Sequence, residues 1–213
     1  MYIVRRTLTF VRGFILSYGP TRLKKRFWDR EFSGTKWDFI DNTEGDCVYP
    51  FLEKYAQGGD ILDLGCGPGN TANELSETAY RSYIGVDISE AALEKAVRRT
   101  KENGRAEKNS FVVSDFLGYH PTEKFDVILF RESLYHVPYG QVKPILDKYV
   151  QSLKDEGVFV VRLYAGDARP GVIKRRVVRK LDLIKREFDV VESRQFDTPA
   201  LPNVLVFRPR GKS

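Results

Sequence analysis

The chain has 213 residues, 42% of them aliphatic, aromatic or cysteine, and a formal net charge of +6. That length suits one domain with a substantial core, and the apolar share excludes a disordered chain. No apolar run approaches the roughly 20 residues of a membrane span, and two cysteines, Cys47 and Cys66, give neither a disulfide framework nor a metal-binding spacing.

Cysteine usage fits a reducing interior, and Arg5, Arg6 and Arg12 break up any signal-type apolar core, so the expected location is cytoplasmic. The charge is unevenly spread. Residues 1–40 hold nine Lys/Arg against three acids, residues 166–213 twelve against six, and the stretch between them fourteen against twenty. Basic ends on an acidic middle suit an anionic substrate, a membrane surface or nucleic acid, beside the plain alternative of solvated helix faces.

In chain order, residues 2–18 place Ile3, Thr7, Phe10, Val11, Phe14 and Tyr18 near one helical face. Such a helix can touch a lipid surface peripherally, and more often packs over a core or a site mouth. Gly19-Pro20 stops it, and a second helical piece covers about residues 21–32. Phe27, Trp28, Phe32, Trp37 and Phe39 then crowd around Ser33-Gly34, as suits a cap closing over a ligand. The expected organisation is an N-terminal helical cap over residues 1–42 and a single globular unit over residues 43–213. Thr43 or Asp46 is expected to cap a helix running to about Gln57, ended by Gly58-Gly59.

Five continuous apolar runs follow: Ile61–Leu64, Tyr83–Val86, Phe111–Val113, Val127–Phe130 and Val158–Val161. They do not alternate with polar residues, which is the mark of parallel strands buried on both faces. Helical patterns at about 70–79, 89–102 and 139–153 lie between them, while the connection Phe116–Lys124 is too short for much helix. A helix at about 171–186 precedes two last runs, Phe188–Val191 and Val204–Phe207, expected to pair antiparallel. The fold class is α/β, a doubly wound and mostly parallel sheet.

Chemistry-bearing residues fall at the ends of four successive strands, where open α/β sheets bind ligands. Asp63 precedes the glycine turn Gly65-Cys66-Gly67-Pro68-Gly69, which leads into a helix starting at Asn70 or Thr71. Glycines admit backbone N–H groups to a ligand, and the helix start adds partial positive charge. Gly67-Pro68-Gly69-Asn70-Thr71-Ala72 also satisfies the loose G-x-G-x-x-A dinucleotide pattern. A carboxylate at Asp63 would repel a pyrophosphate, however, and would hold a cationic amino group instead. Asp87, eighteen residues past Gly69 and followed by Ile88, can accept both hydroxyl hydrogens of a ribose. In Ser114-Asp115-Phe116 the carboxylate can take a proton from an adenine amino group while the aromatic covers the ring. Arg131-Glu132-Ser133-Leu134-Tyr135-His136 forms a polar mouth after an apolar strand.

Leu62-Asp63-Leu64-Gly65-Cys66-Gly67-Pro68-Gly69 resembles the first motif of class I S-adenosylmethionine-dependent methyltransferases. Gly85-Val86-Asp87-Ile88-Ser89 resembles their second motif, Ser114-Asp115-Phe116 their adenine site and Phe125-Asp126-Val127-Ile128 their fourth strand. Leu134-Tyr135-His136-Val137-Pro138 is similar to the Leu-His-His-Val-Pro end of small-molecule, ubiquinone-biosynthesis-like members. The resemblance implies a Rossmann-like seven-stranded sheet with one reversed strand and S-adenosyl-L-methionine as cofactor. It implies that Asp63, Gly65, Cys66, Gly67 and Asn70 hold the methionine end, Asp87 with Ile88 the ribose, and Ser114, Asp115 and Phe116 the adenine. Arg131 and Trp37 would also border the cofactor. At Arg131-Glu132 and at Tyr135 the sequence departs from the family pattern.

The implied reaction is in-line methyl transfer to an O or N nucleophile of a small molecule. A base is required where the nucleophile holds its proton at neutral pH; His136 has the intrinsic pKa for it, and Glu132 and Tyr135 are the other candidates. Tyr164, Asp167 and Arg169 are expected to border the substrate site. No metal-ligand cluster is visible. A nucleic-acid methyltransferase is the first alternative, prompted by Lys174-Arg175-Arg176, Arg179-Lys180 and Lys185-Arg186, which read as the solvated side of an amphipathic helix. A cofactor-fold binding or regulatory module without turnover is the second.

Overall fold

The computed structural model describes residues 16–34, 43–164, 172–196 and 202–211, with the backbone alone at 172–174. Helices α1 (Thr21–Ser33) and α2 (Tyr49–Ala56) precede β1 (Gly59–Leu64), α3 (Asn70–Glu74), β2 (Tyr80–Asp87), α4 (Glu90–Glu102) and β3 (Asn109–Val113). A 3-10 turn at Glu77–Ala79 precedes β2; then follow β4 (Phe125–Arg131), a second 3-10 turn at Leu134–His136, α5 (Tyr139–Val150), β5 (Leu153–Tyr164), α6 (Val172–Glu187), β6 (Asp189–Gln195) and β7 (Pro202–Arg208). Every apolar run singled out above lies in or overlaps a strand.

The seven strands form one sheet in the order β3-β2-β1-β4-β5-β7-β6. Strands β1 to β5 pair in parallel, and β7 runs antiparallel to both its neighbours. The order therefore turns between β1 and β4, which opens a crevice beyond their carboxyl ends.

Burial explains the lack of alternation. Leu62, Leu64, Ile128, Phe130, Phe159 and Val161 pack on one face of the sheet with Val142, Leu146 and Tyr149 of α5 and Val177, Leu181 and Ile184 of α6. Their sequence neighbours Ile61, Val127, Leu129, Val158 and Val160 pack on the other with Leu52 and Ala56 of α2 and Ala72 of α3. Both sides of each central strand are dry, so both must be apolar.

Local signals were read less well at α2. Neither Thr43 nor Asp46 is its cap: the helix follows Val48, without a side-chain cap. Thr43 instead binds Glu74 through its amide and its hydroxyl. Asp46 accepts from the Val48 amide at 2.9 Å, and its other oxygen pairs with arginines of β4 and β5. A charged partner in a dry place outcompetes a capping bond. The helix ends one residue earlier than the glycines, at Gln57, which takes a left-handed φ of 48°.

At the amino ends of the strands, Asp60 accepts from Ser82 at 2.8 Å and from Lys154 at 2.7 Å, and pairs with Arg81. Lys154 also reaches Asp126 at 2.6 Å, so four strands are tied together there. Burial raises the Asp60 pKa, but Arg81, Lys154 and Ser82 outweigh it and hold the group at about 2, below its ordinary 3.8. A depressed carboxylate stabilises the fold above its unfolded pKa and loses that contribution as pH falls through the folded one. Asp60→Asn is expected to lower stability by about 2 kcal/mol at neutral pH. In urea unfolding, the gap from wild type should narrow as pH falls below about 4.

Candidate functional site

The crevice is lined by the loops that follow β1, β2, β3 and β4. Gly65 lets the first and last of these touch. Its φ is +87°, and a Cβ there would stand 2.4 Å from Ser133 Cβ, so no other residue fits. The Gly65 and Cys66 amides both donate to the Val86 carbonyl, at 2.7 and 3.1 Å. Cys66 is buried with its sulfur against Gly85, and burial pushes its thiol pKa up. Gly67, at φ +55°, donates its amide to Asp87 Oδ2 at 2.9 Å. Asn70 opens α3 and is buried, its side chain bridging Thr43 and Arg99.

Asp63 is 1% exposed beneath this turn. Tyr83 donates its hydroxyl to Oδ2 at 2.6 Å, while Oδ1 has no hydrogen-bond partner. Burial pushes the group up to about 6 against the pull of Tyr83, the Arg131 charge and the nearby Thr71 hydroxyl. A buried carboxylate oxygen without a donor is costly, and an ammonium group placed there would relieve it. Asp87 is likewise buried. Its second oxygen accepts the Ser89 amide at 2.9 Å, and burial raises its pKa despite those two bonds. Ile88 beside it is half-buried.

The Ser114 amide donates to the Asp87 carbonyl at 2.9 Å, which joins the second and third loops. Asp115 accepts from Thr21 of α1 at 3.2 Å and from the Leu117 amide at 3.0 Å. Phe116 packs edge-on to Phe130 at 6.0 Å, so its ring belongs in part to the core.

After β4, the charged residues form a chain. Arg131 pairs with Asp46 at 2.7 Å, Asp46 with Arg162 at 3.3 Å, and Arg162 with Glu132. Arg131 also sits over the Tyr49 ring at 5.5 Å. Glu132 holds a left-handed φ of 57°, and burial raises its pKa against the Arg162 charge. The Tyr135 hydroxyl donates to the Tyr164 carbonyl, and burial pushes its pKa far up. Glu132 and Tyr135 thus anchor the last loop to β5. His136 faces α1, its ring edge-on to Trp28 with centroids 5.2 Å apart.

Helix α1 crosses all four loops. Thr21 meets Asp115; Asp29 accepts from Ser89 Oγ at 2.9 Å; Trp28 meets His136. Phe32 Cζ lies 3.8 Å from where a Cβ on Gly67 would stand. Trp37, Asp167, Arg169 and the helix expected before Leu16 lie outside the described residues.

One residue escaped the sequence reading. Lys180 was grouped with a solvated basic face, yet it is 5% exposed. Its Nζ donates to the carbonyls of Leu134 and Tyr135, at 2.8 and 2.9 Å, and so pins the turn that carries His136. The helical period held the only signal: Val177, Lys180, Leu181 and Ile184 share the inner face of α6.

A family model described as a methyltransferase domain matches residues 61–157, which hold all four loops. That stretch resembles the methyltransferase domain, and the sheet has the fold of class I S-adenosylmethionine-dependent methyltransferases. It is 27% identical over 139 residues to a sterol 24-C-methyltransferase of Aspergillus fumigatus, a match covering 60% of this chain and 36% of that one. It is 32% identical over 107 residues to thiocyanate methyltransferase 1 of Brassica oleracea, covering 50% and 46%. The matches therefore span less than half the length of these relatives. In fold it resembles the N-methyltransferase NodS of Bradyrhizobium japonicum, solved with S-adenosyl-L-homocysteine, with a TM-score of 0.67 and 22% identity over 87% of this chain and 98% of that one.

Burial and then the Arg176 charge lower the Lys180 pKa from 10.5 to about 8. Between those values the unfolded chain binds more protons, so this group makes stability rise as pH goes from 8 to 10.5. In Lys180→Met that contribution is expected to vanish, so the Tm difference from wild type should shift in favour of wild type across that range, by up to about 3 kcal/mol in stability.

Proposed function

We propose that this protein transfers a methyl group from S-adenosyl-L-methionine to an O or N nucleophile of a small molecule. The observation that carries the reading is the donorless oxygen of Asp63 under the glycine turn. It fits the ammonium of the methionine moiety and opposes a diphosphate. Asp63, with the turn from Gly65 to Gly67 and Asn70, holds that end; Asp87 with Ile88 holds the ribose; Ser114, Asp115 and Phe116 hold the adenine. When bound, the cofactor supplies a methyl group already activated on a sulfonium.

The chain then has three tasks: to align the acceptor, to exclude water and to take a proton where one must leave. His136 accepts that proton at a ring nitrogen. Glu132 and Tyr135 support it by holding the loop, since one is paired with Arg162 and the other with the Tyr164 carbonyl. The described part of the N-terminal cap includes α1, with Trp28 and Phe32 on its inner side. The names of the curated relatives, a sterol and a thiocyanate methyltransferase, support a small-molecule acceptor. No helix among the described residues is long and apolar enough to cross a membrane.

Calorimetry with S-adenosylmethionine should show Asp87→Ala weakened by about a hundredfold, the loss of two charged hydrogen bonds. Uptake of NAD with indifference to the sulfonium donor would overturn the assignment. With an acceptor found by fractionating a metabolite extract against radiolabelled methyl donor, His136→Gln is expected to lower kcat by about 10²-fold or more, leaving cofactor affinity nearly unchanged. If no fraction takes up label while the cofactor binds, the protein is a binding module.

A further inference from the structure

The outward faces of α1 and α6 carry a second pattern that the methyl-transfer site does not use. On α1, Arg22, Arg26 and Arg30 recur at every fourth residue and all are exposed. Leu23 stands among them and Tyr18 lies just before the helix, 44% and 64% exposed. On α6, Arg175, Arg176, Arg179, Lys185 and Arg186 are exposed around Val178, itself 43% exposed, with Asp182 as an acid on the same side.

Ordinary solvated helices pair such charges along one face, and this protein does so elsewhere. Lys25 meets Asp29 at 2.7 Å and Lys143 meets Asp147 at 2.6 Å, each four residues on. Among the described residues, by contrast, Arg22, Arg26, Arg30, Arg175, Arg176 and Arg179 have no carboxylate within ion-pair distance. Both helices also reach the same place. Trp28 of α1 packs on His136, and Lys180 of α6 holds the carbonyls of Leu134 and Tyr135 in the same turn. The two helices that carry these cations therefore both border the mouth of the site, Arg179 lying over the Tyr139 ring at 4.7 Å, while the intervening part of the chain is acidic.

We propose that this face is a docking surface for an anionic lipid bilayer, which brings the mouth of the cleft to the headgroup layer. The arginines supply attraction to acidic headgroups, and Tyr18, Leu23 and Val178 enter the headgroup–acyl boundary. Exposed aliphatic side chains among the cations favour lipid over a polyphosphate strand, which offers them no apolar partner. The inference is independent of the cofactor assignment.

Vesicle flotation tests it, with phosphatidylcholine alone and mixed with phosphatidylglycerol. The full chain is expected to float with the mixed vesicles only, and less as salt rises. Each surface cation contributes roughly fivefold, so the triple variant Arg22→Gln/Arg26→Gln/Arg30→Gln should lose about a hundredfold in partitioning. Its affinity for S-adenosylmethionine, measured by calorimetry, should match wild type, which separates lost docking from lost folding or a failed cofactor assignment. Leu23→Ser should weaken flotation even at low salt. Equal partitioning onto both vesicle types overturns the proposal, as does retention by the triple variant and by Arg175→Gln/Arg176→Gln/Arg179→Gln. RNA binding through these arginines without vesicle binding overturns it in favour of nucleic acid.

Discussion

A carboxylate sealed under a glycine turn, with one oxygen left without a donor, sets the terms for the rest of this structure. Desolvating Asp63 is unfavourable, and the Tyr83 hydroxyl, the Arg131 charge and the nearby Thr71 hydroxyl offset only part of it. Its neighbours compound the problem, because Asp87 is also buried and adds a like charge. Groups arranged so are tolerated when a ligand completes them, and perturbed carboxylates in a crevice mark such places. The dry sheet on both sides makes the arrangement rigid: Asp63 cannot swing toward water, because Leu62 and Leu64 lock β1 from the face opposite to Ile61.

The charge chain from Arg131 through Asp46 and Arg162 to Glu132 answers a related problem at the end of β4 and β5. Two guanidinium and two carboxylate groups balance in charge, and truncating any one would strand its partner out of water. Glu132 is the informative member. Its left-handed backbone is strained for a side-chain-bearing residue, and its bond to Arg162 together with the Glu132 amide on the Arg162 carbonyl holds that strain. The result is a fixed turn from Ser133 to His136, held on another side by Lys180.

The strands were legible because burial on two faces writes itself directly as unbroken apolar runs. The four strand-end loops were legible because Asp, Gly and Asn are needed there for reasons of backbone geometry and charge. Lys180 was not, since a run of basic residues on a helix conceals the one whose position in the helical period turns it inward. Asp46 and Thr43 misled for a related reason: local capping rules describe what a residue does when nothing stronger is near, and the partners that captured them lie 85 and 31 residues away. Glu132 and Tyr135 were legible as polar residues near the site but not as supports, because Arg162 and Tyr164 come from a different strand.

The roof follows a different logic from the floor. Helix α1 touches all four loops, and among its polar ties only Ser89–Asp29 is drawn from a buried residue. Thr21–Asp115 is exposed, and Lys25 reaches Asp29 and Glu90 with side chains that water still wets. Ties of that kind contribute at most about 1 kcal/mol each. The apolar hold is Trp28 edge-on to His136 and Phe32, only 7% exposed, over the glycine turn. Two aromatic rings and the Ser89–Asp29 bond thus seat the helix over the crevice.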